Sequence, residues 1–458
     1  MLAGIAALGI AACGSEHKAE ARPQLAGGAK GWNVVLLTVD TLRADRLGTY
    51  GYTARATSPK LDARLGQGVT FDSALAQRAS TWPSLASVLT GLYPSGHGVI
   101  ENGFGFPDDL ATLPKMLQGA GYRTGAFLSN MCQANHQGWD DFACAGGQDG
   151  KTVGRALDWA RAEGADKPFF LWVHLFGAHG PYYNGGDLAT KVLDPGYEGP
   201  LGTKKWQLNR VMTERLPLGE RDLRHLDALY DAAVMGSDRL SGALLDGLEA
   251  AGKLDRTLFV FTADHGEELY DHNGYLYHAC SVYQTTLHVP LAMAAPGLLP
   301  AGARVPQTVE LIDVLPTMLD LLGLPKPGEQ HGRSLLRYLA RPGEEGGVAK
   351  PAFSEYGPTS IHTVVRGNWK LVHNPEGIAP VCIPDAPPDH YPIGRAELYD
   401  LSHDPLETTN LAASRPELVA ELTELIRQRF AGLKKRSGDQ DVPEALQEEL
   451  KALGYVAH

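Results

Sequence analysis

The sequence predicts an α/β fold in which helices flank a mostly parallel central sheet, with a smaller α+β region on the C-terminal side. Apolar, β-branched runs alternate with segments of helical periodicity between residue 31 and about residue 340, a pattern typical of a parallel sheet covered on both faces. Stretches rich in Pro and Gly at 324–328 and 341–350 mark a boundary before the smaller region.

Individual elements follow from the same patterns. The predicted strands of the large region are 33–39, 122–129, 169–175, 258–262 and 289–294, and its predicted helices are 58–65, 82–90, 113–120, 153–163, 220–251 and 310–322. The smaller region is predicted to contain strands 363–366, 369–372 and 397–400, a helix over 416–433 and a short amphipathic helix over 443–455.

Composition limits the class of protein. The 458 residues, 43% of them hydrophobic, are enough for two or more domains. The net charge of −12 argues against a nucleic-acid-binding protein. No window approaches the roughly 20 apolar residues of a membrane-spanning helix.

Residues 80–91, Ser-Thr-Trp-Pro-Ser-Leu-Ala-Ser-Val-Leu-Thr-Gly, are the most informative segment. Pro83 suits a first helical turn, so Thr81 is predicted to lie at a helix N-terminus, where N–H groups and the helix dipole favour anions. A hydroxyl there can attack a phosphate or sulfate ester. The alternative is that Thr81 only caps the helix.

Two distant strands end in candidate metal ligands. One apolar run ends in Asp40, and another ends in Asp264 and His265. Parallel strands deliver such side chains to one edge of a sheet, and carboxylates and imidazole bind metal ions where they converge. Together with Thr81, these residues indicate a metal-dependent ester hydrolase.

The chain resembles the sulfatase family of the alkaline phosphatase superfamily. The stretches that carry this resemblance are 40–52, 81–97, 169–181, 263–290, 309–316 and 397–411, the last reading Glu-Leu-Tyr-Asp-Leu-Ser-His-Asp-Pro-Leu-Glu-Thr-Thr-Asn-Leu. We expect a lipoprotein signal peptide at 1–13, a tether at 14–31, a sulfatase-like catalytic α/β domain at 32–340, a C-terminal α+β subdomain at 350–435 and a tail helix at 436–458.

The resemblance also implies site roles. The metal shell would consist of Asp40, Thr81, Asp264 and His265, with Thr81, His179 and His278 catalytic and Asn102, His179 and His278 binding the substrate. Alternatives remain for several positions. His179 can be structural, Asn102 can be a turn residue, and His272 can support the site or lie on the surface. His174 is expected to be buried support, and Arg43 is expected to pair with Asp45.

Three positions depart from the family pattern. Thr81 stands where the family has a Cys or Ser that is oxidised to formylglycine, Leu85 replaces an Arg, and Thr41 replaces a second Asp. Oxidation of threonine gives a ketone, so formylglycine is not available, and the pattern resembles members with a Thr nucleophile that act on phosphorus. One divalent ion is expected, with manganese or zinc favoured over calcium.

Three functions are consistent with these residues. The first is a hydrolase or transferase of sulfate or phosphate esters with Thr81 as the metal-activated nucleophile, for which the threonine favours phosphodiester or phosphonate chemistry. The second is a true sulfuric ester hydrolase without formylglycine. The third is an inactive anion-binding protein. The substrate would be a small-molecule, glycan or lipid ester.

The N-terminus and the cysteines suggest export. Residues 1–13 resemble a lipoprotein signal that ends in a lipid-carrying Cys13, followed by a polar linker; the alternative is a buried helix. We therefore expect a periplasmic protein anchored by lipid to the outer membrane.

The other four cysteines have two possible roles. They permit the disulfides Cys132–Cys144 and Cys280–Cys382, or they remain buried thiols.

Overall fold

The computed structural model describes residues 24–132, 136–162, 167–344, 350–357, 360–379 and 392–437 of the chain. The predicted signal peptide with Cys13, most of the predicted tether, Cys382 and the predicted helix at 443–455 lie outside these residues.

Fourteen strands are present in the described part of the chain. They are β1 (Asn33–Val39), β2 (Val69–Leu75), β3 (Arg123–Leu128), β4 (Asp141–Cys144), β5 (Phe169–Leu175), β6 (Thr257–Ala263), β7 (Glu268–Leu269), β8 (Leu276–Tyr277), β9 (His288–Ala294), β10 (Ala303–Glu310), β11 (Ala352–Tyr356), β12 (Ile361–Arg366), β13 (Trp369–His373) and β14 (Ala396–Asp400).

Helices connect and flank these strands. They are α1 (Pro59–Leu65), α2 (Thr81–Thr90), α3 (Pro94–His97), α4 (Leu113–Gly119), α5 (Asp149–Ala162), α6 (Ala189–Val192), α7 (Lys205–Thr213), α8 (Glu220–Ala250), α9 (Gln284–Leu287), α10 (Val314–Leu322), α11 (Leu336–Ala340) and α12 (Pro416–Phe430). The described helices include none with the length and apolar character needed to cross a bilayer.

The central sheet has eight strands in the order β10-β2-β9-β6-β1-β5-β3-β4. All its strands run parallel except β9, which is antiparallel to β2 and β6. Strand β1 lies between β5 and β6, and its last residue, Val39, is in register with Leu175 of β5 and Ala263 of β6. The residues that follow β1, β5 and β6 therefore meet at one edge of the sheet.

A smaller antiparallel sheet, β11-β12-β13-β14, forms the C-terminal region. Helix α12 packs on it through Leu422 and Ile426, which share an apolar cluster with Val364 of β12 and Leu371 of β13. The predicted fold class, a mostly parallel sheet flanked by helices with a smaller α+β region, is confirmed.

Most predicted elements are confirmed, and the differences have physical reasons. Strands β2, β4, β10 and β11 were not predicted. The helix predicted over 310–322 begins at Val314, because Glu310 still belongs to β10 and a short 3₁₀ turn, Leu311–Asp313, precedes the helix.

Part of the predicted tether is in fact anchored to the domain. Gly27 and Ala29 donate backbone hydrogen bonds to the carbonyls of Asp320 and Leu321, and Ala29 is fully buried. These carbonyls belong to the last turn of α10, where helix carbonyls lack partners within the helix. Residues 27–29, which fall within the predicted tether, therefore pack against α10.

Candidate active site

Two carboxylates meet at the carboxyl edge of the central sheet. Asp40 follows β1 and Asp264 follows the neighbouring β6, and both side chains are fully buried. The imidazole of the next residue, His265, joins them, and one ligand atom from each of the three residues lies within 4.8 Å of the other two. Nε2 of His265 is 3.4 Å from Oδ2 of Asp264 and 3.8 Å from Oδ1 of Asp40.

Backbone hydrogen bonds fix the orientation of these groups. Oδ1 of Asp264 accepts the backbone N–H groups of Thr41 and His265, at 3.1 and 2.9 Å. Nδ1 of His265 lies 2.9 Å from the carbonyl of Gly266; a bond donated there leaves Nε2 as the unprotonated ring nitrogen, the form that binds metals. Oδ2 of Asp264 is buried without a hydrogen-bond partner among the described residues.

Thr81 completes this group from a third segment. It is the first residue of α2, with Ser80 at the N-cap position, so Thr81 itself is not the cap. Its hydroxyl is fully buried and lies 3.3 Å from Nε2 of His265. Ser84, one turn along α2, donates a 2.6 Å hydrogen bond to the carbonyl of Asp264 and fixes the helix against the end of β6.

These residues fit a divalent cation. Two carboxylates, one imidazole nitrogen and one hydroxyl form the oxygen and nitrogen set that manganese or zinc accepts. Two buried carboxylates this close together repel each other unless a cation or a proton neutralises them. The orphaned Oδ2 of Asp264 is the clearest sign that such a cation belongs here.

Asp40 is approached by one residue that follows β3 and by one residue within β5. Nδ2 of Asn130, beyond β3, donates to Oδ2 of Asp40 at 2.5 Å. Nε2 of His174, in β5, lies 3.9 Å from the same oxygen, while its Nδ1 is 2.8 Å from the hydroxyl of Thr38. His174 is fully buried, and burial lowers its pKa to about 4, so it is a neutral supporting residue as expected.

The two predicted catalytic histidines lie together beside His265. The ring centroid of His278 is 4.4 Å from that of His265 and 5.1 Å from that of His179. Burial lowers the pKa of His179 to about 3 and that of His278 to about 4, so both rings are neutral near pH 7. His179 also stacks on Phe176, with the ring centroids 4.5 Å apart.

Glu267 is a site residue that the sequence analysis did not single out. Its buried carboxylate contacts Nδ1 of His278 at 2.8 Å through Oε2 and accepts a 3.1 Å hydrogen bond from the Tyr182 hydroxyl at Oε1. Burial raises the pKa of Glu267 to about 7. The signal was its position directly after Asp-His-Gly, which places it two residues from a metal ligand.

Asn102 has a definite partner in α2, the helix that begins at Thr81. Its Oδ1 accepts the N–H of Trp82 at 2.8 Å. Because Pro83 has no N–H and the N–H of Ser84 bonds back to a carbonyl at the helix start, the first turn of α2 offers an anion fewer backbone donors than expected. The dipole of α2 still points its positive end toward Thr81.

Two other residues considered in the sequence analysis, Arg43 and His272, lie outside the cluster of Asp40, Asp264 and His265. The predicted Arg43–Asp45 ion pair is confirmed at 2.8 Å, and Arg43 also pairs with Asp271 at 2.7 Å. His272 contacts the Glu268 carboxylate at 3.0 Å and supports the segment between His265 and His278 rather than facing solvent.

One of the two predicted disulfides is confirmed. Cys132 and Cys144 are bonded. The predicted partner of Cys280, Cys382, lies outside the described residues.

Comparison with known proteins shows which protein family this chain resembles. The family model described as Sulfatase matches residues 32–324. Arylsulfatase K of Mus musculus is 24% identical over 463 residues, which cover 86% of this chain and 78% of that protein. N-acetylglucosamine-6-O-sulfatase of Bacteroides thetaiotaomicron is 24% identical over 532 residues, 93% of this chain and 90% of that protein.

Solved structures share the fold. A protein in complex with its substrate D-glucosamine-2-N,6-O-disulfate superposes with a TM-score of 0.72 at 21% identity, over 91% of this chain and 100% of that one. The phosphonate monoester hydrolase of Agrobacterium radiobacter gives a TM-score of 0.69 at 20% identity, over 89% and 97%. The chain belongs to the sulfatase family, and its enzyme class is that of the sulfuric ester hydrolases.

Proposed function

We propose that this protein cleaves anionic esters of sulfuric or phosphoric acid with the Thr81 hydroxyl as its nucleophile. The observation that carries the proposal is the 3.3 Å distance between that hydroxyl and Nε2 of His265, inside the cluster with Asp40 and Asp264. A divalent cation bound by this cluster supplies a Lewis acid that polarises the ester and makes a nearby hydroxyl more acidic.

The chemistry needs two displacements. Oγ1 of Thr81 forms a bond to sulfur or phosphorus while the bond from that atom to the alcohol oxygen breaks, and the hydroxyl proton passes to solvent. His179 or His278, neutral in the resting site, takes up a proton from solvent at Nε2 and gives it to the departing alcohol. Water then attacks the same sulfur or phosphorus atom and restores Thr81, so that one water is consumed and the free acid and alcohol are released.

Glu267 gives His278 a fixed orientation for this step. Because its carboxylate contacts Nδ1, the other ring nitrogen, Nε2, lies on the side away from Glu267. His179 is held in the same way, with Nδ1 at 2.6 Å from the carbonyl of Gly180. Both imidazoles are thus oriented before substrate binds, which is how enzymes avoid reorganisation during proton transfer.

Two substrate classes follow from different observations. Sulfate esters, including sulfated sugars, are supported by the names of the sequence relatives. Phosphodiesters and phosphonate monoesters are supported by Thr81, which cannot become formylglycine, and by the shared fold of a phosphonate monoester hydrolase. Thr41, in place of a second carboxylate, favours manganese or zinc over calcium.

A direct test compares 4-nitrophenyl sulfate, bis(4-nitrophenyl) phosphate and 4-nitrophenyl phenylphosphonate with Mn²⁺, Zn²⁺ or Ca²⁺. We expect turnover of at least one ester that Thr81→Ala abolishes. Thr90→Ala, at the other end of α2, is the matched control because the Thr90 hydroxyl donates to the carbonyl of Ala86 and accepts the N–H of Leu92, and contacts neither carboxylate of the cluster. Metal binding without turnover of any ester would instead support an anion-binding protein.

We also propose that Cys13 carries lipid and anchors the protein in the cell envelope. The proposal rests on the Ile-Ala-Ala-Cys segment that ends at Cys13. Metabolic labelling with an alkyne fatty acid tests it: labelling that is unchanged in Cys13→Ala would contradict the anchor without affecting the proposed chemistry.

A further inference from the structure

A buried arginine lies beside the proposed nucleophile and takes no part in the mechanism above. Arg78 stands three residues before Thr81 and is only 3% exposed. Its guanidinium carbon lies 4.8 Å from the centre of the Tyr356 ring, and Nη2 bonds Oε1 of Glu101 at 3.0 Å. These two contacts fix the position of the guanidinium.

The contacts leave part of this guanidinium unsatisfied. Nε and Nη1 of Arg78 are both buried and have no hydrogen-bond partner among the described residues. Buried polar groups are almost always paired, and a buried charged donor without a partner is costly. Each of these two nitrogens shares an edge of the guanidinium with Nη2, and each can donate a charge-assisted hydrogen bond to an anionic oxygen group.

The residues that surround this guanidinium lie beside residues of the candidate active site. Glu101 immediately precedes Asn102, which accepts the N–H of the residue after Thr81. The Tyr356 hydroxyl lies 3.6 Å from Sγ of Cys280, two residues after His278. Along the chain, the Cα atoms of Arg78 and Thr81 are at most about 10 Å apart.

We propose that Arg78 binds a second anionic group of the substrate, a carboxylate or a further sulfate or phosphate, adjacent to the ester that is cleaved. Arg78 would be a specificity-determining residue that selects doubly anionic esters over singly anionic ones. The inference rests on the proposed function for the identity of the reacting ester, but the binding of the second anion is measurable without turnover.

Substitution of Glu101 should have the opposite effect to substitution of Arg78. Its side chain is 45% exposed, in contrast to the 4% of Arg78, so its carboxylate can turn into solvent at little cost. A substrate anion would then compete with Glu101 for the same guanidinium. Removing the charge of Glu101 should strengthen the binding of doubly anionic esters, whereas removing Arg78 should weaken it.

The experiment compares 4-nitrophenyl sulfate with 2-carboxy-4-nitrophenyl sulfate on the metal-loaded enzyme. In Arg78→Gln we expect KM for the carboxylated ester to rise about tenfold, the size of a charge-assisted hydrogen bond, while KM for the simple ester is unchanged. Arg78→Lys should give an intermediate value, and Glu101→Gln should lower KM for the carboxylated ester only.

The matched control is Arg123→Gln. Arg123 also makes an ion pair, with Asp141, and a ring contact, with Trp159, but its side chain is 38% exposed and it begins β3 at the opposite edge of the sheet. Equal losses on both esters in Arg78→Gln, or a loss on neither, would overturn the proposal. If the wild type turns over neither ester, calorimetric binding of the carboxylated ester to wild type and Arg78→Gln decides the role of Arg78 separately.

Discussion

The hydroxyl of Thr81 and Nε2 of His265 lie 3.3 Å apart although 184 positions separate the two residues in the chain. The contact joins the first residue of α2 to the loop that follows β6. Because Asp40, after the adjacent β1, belongs to the same group, the site depends on three remote segments and therefore on the fold itself. The predictions below test the parts of this arrangement separately.

The cation site should contribute measurable stability. We expect Mn²⁺ or Zn²⁺ to stabilise the wild type by about 2.7 kcal/mol at a concentration 100 times its Kd, and Asp264→Asn to lose most of that gain because Oδ2 of Asp264 would no longer carry charge. Thermal unfolding against metal concentration measures it. Asp141→Asn, on the partly exposed Asp141 side chain, is the control. If added metal stabilised Asp264→Asn as much as it stabilises the wild type, the ion would not bind at Asp264.

Glu267 and Glu268 are adjacent buried carboxylates with different partners. Glu267 contacts His278, whereas Glu268 contacts His272 and accepts from the Ser281 hydroxyl. We expect Glu267→Gln to lower kcat by about 10- to 100-fold, as for other residues that orient site histidines. Glu268→Gln should mainly lower Tm. Equal effects of the two variants on kcat would mean that Glu267 has only a structural role.

A buried histidine away from the cation should make the protein sensitive to acid. His97 is fully buried, accepts the N–H of Val99 at Nδ1 and contacts the hydroxyl of Ser87 at Nε2, and burial lowers its pKa to about 3. The folded pKa is below the unfolded value of about 6.5, so the unfolded state binds more protons between these values. The stability that neutral His97 contributes is complete above about pH 6.5 and is lost as the pH falls toward 3.

Urea unfolding at pH 7 and at pH 4 measures this effect. The difference in unfolding free energy between the two pH values should be smaller in His97→Gln than in the wild type, by on the order of 2 to 3 kcal/mol. The quantity compared is the change in unfolding free energy from pH 7 to pH 4 within each protein. A loss of stability that His97→Gln causes equally at both pH values therefore does not affect the result. An identical pH dependence in the two proteins would contradict the prediction.

A buried lysine of the C-terminal sheet makes an ion pair and also contacts the segment that follows β8. Nζ of Lys370 lies 2.6 Å from Oε1 of Glu407, both residues are buried, and Lys370 also donates to the carbonyl of Val282 at 2.7 Å. Lys370→Met leaves the carboxylate buried without its cation, and we expect a loss of about 3 to 5 kcal/mol in unfolding free energy. The double change Lys370→Met with Glu407→Leu should lose much less. A single variant as stable as the wild type would contradict this account.

The sequence predicted the centre of the fold better than its edges. Strands β1, β5 and β6 are continuous apolar runs that end in polar residues, so both the strands and the candidate ligands Asp40 and Asp264 were evident. Strand β10 is an edge strand that contains Pro306, a residue that weakens any strand prediction. Strand β2 includes the polar Asp72 and Ser73, at a place where its pairing with β9 is irregular.

Contacts between side chains that are far apart in the chain could not be predicted from the sequence. Glu267 was part of a recognised motif, but its contact with His278 depends on the β7–β8 hairpin that folds the segment back on itself. Arg78 likewise acquires its environment from Tyr356, 278 positions later. By contrast, the Cys132–Cys144 disulfide is local, and sequence spacing was enough to propose it.

Detection of a covalent intermediate on Thr81 tests the central claim most directly. The enzyme is quenched in acid during turnover of its best ester, and the peptide that contains Thr81 is analysed by mass spectrometry. We expect a sulfuryl or phosphoryl group on Thr81 in the wild type and no such group, together with no turnover, in Thr81→Ala. Full turnover by Thr81→Ala would contradict the account, because the hydroxyl beside His265 would then not be the attacking group.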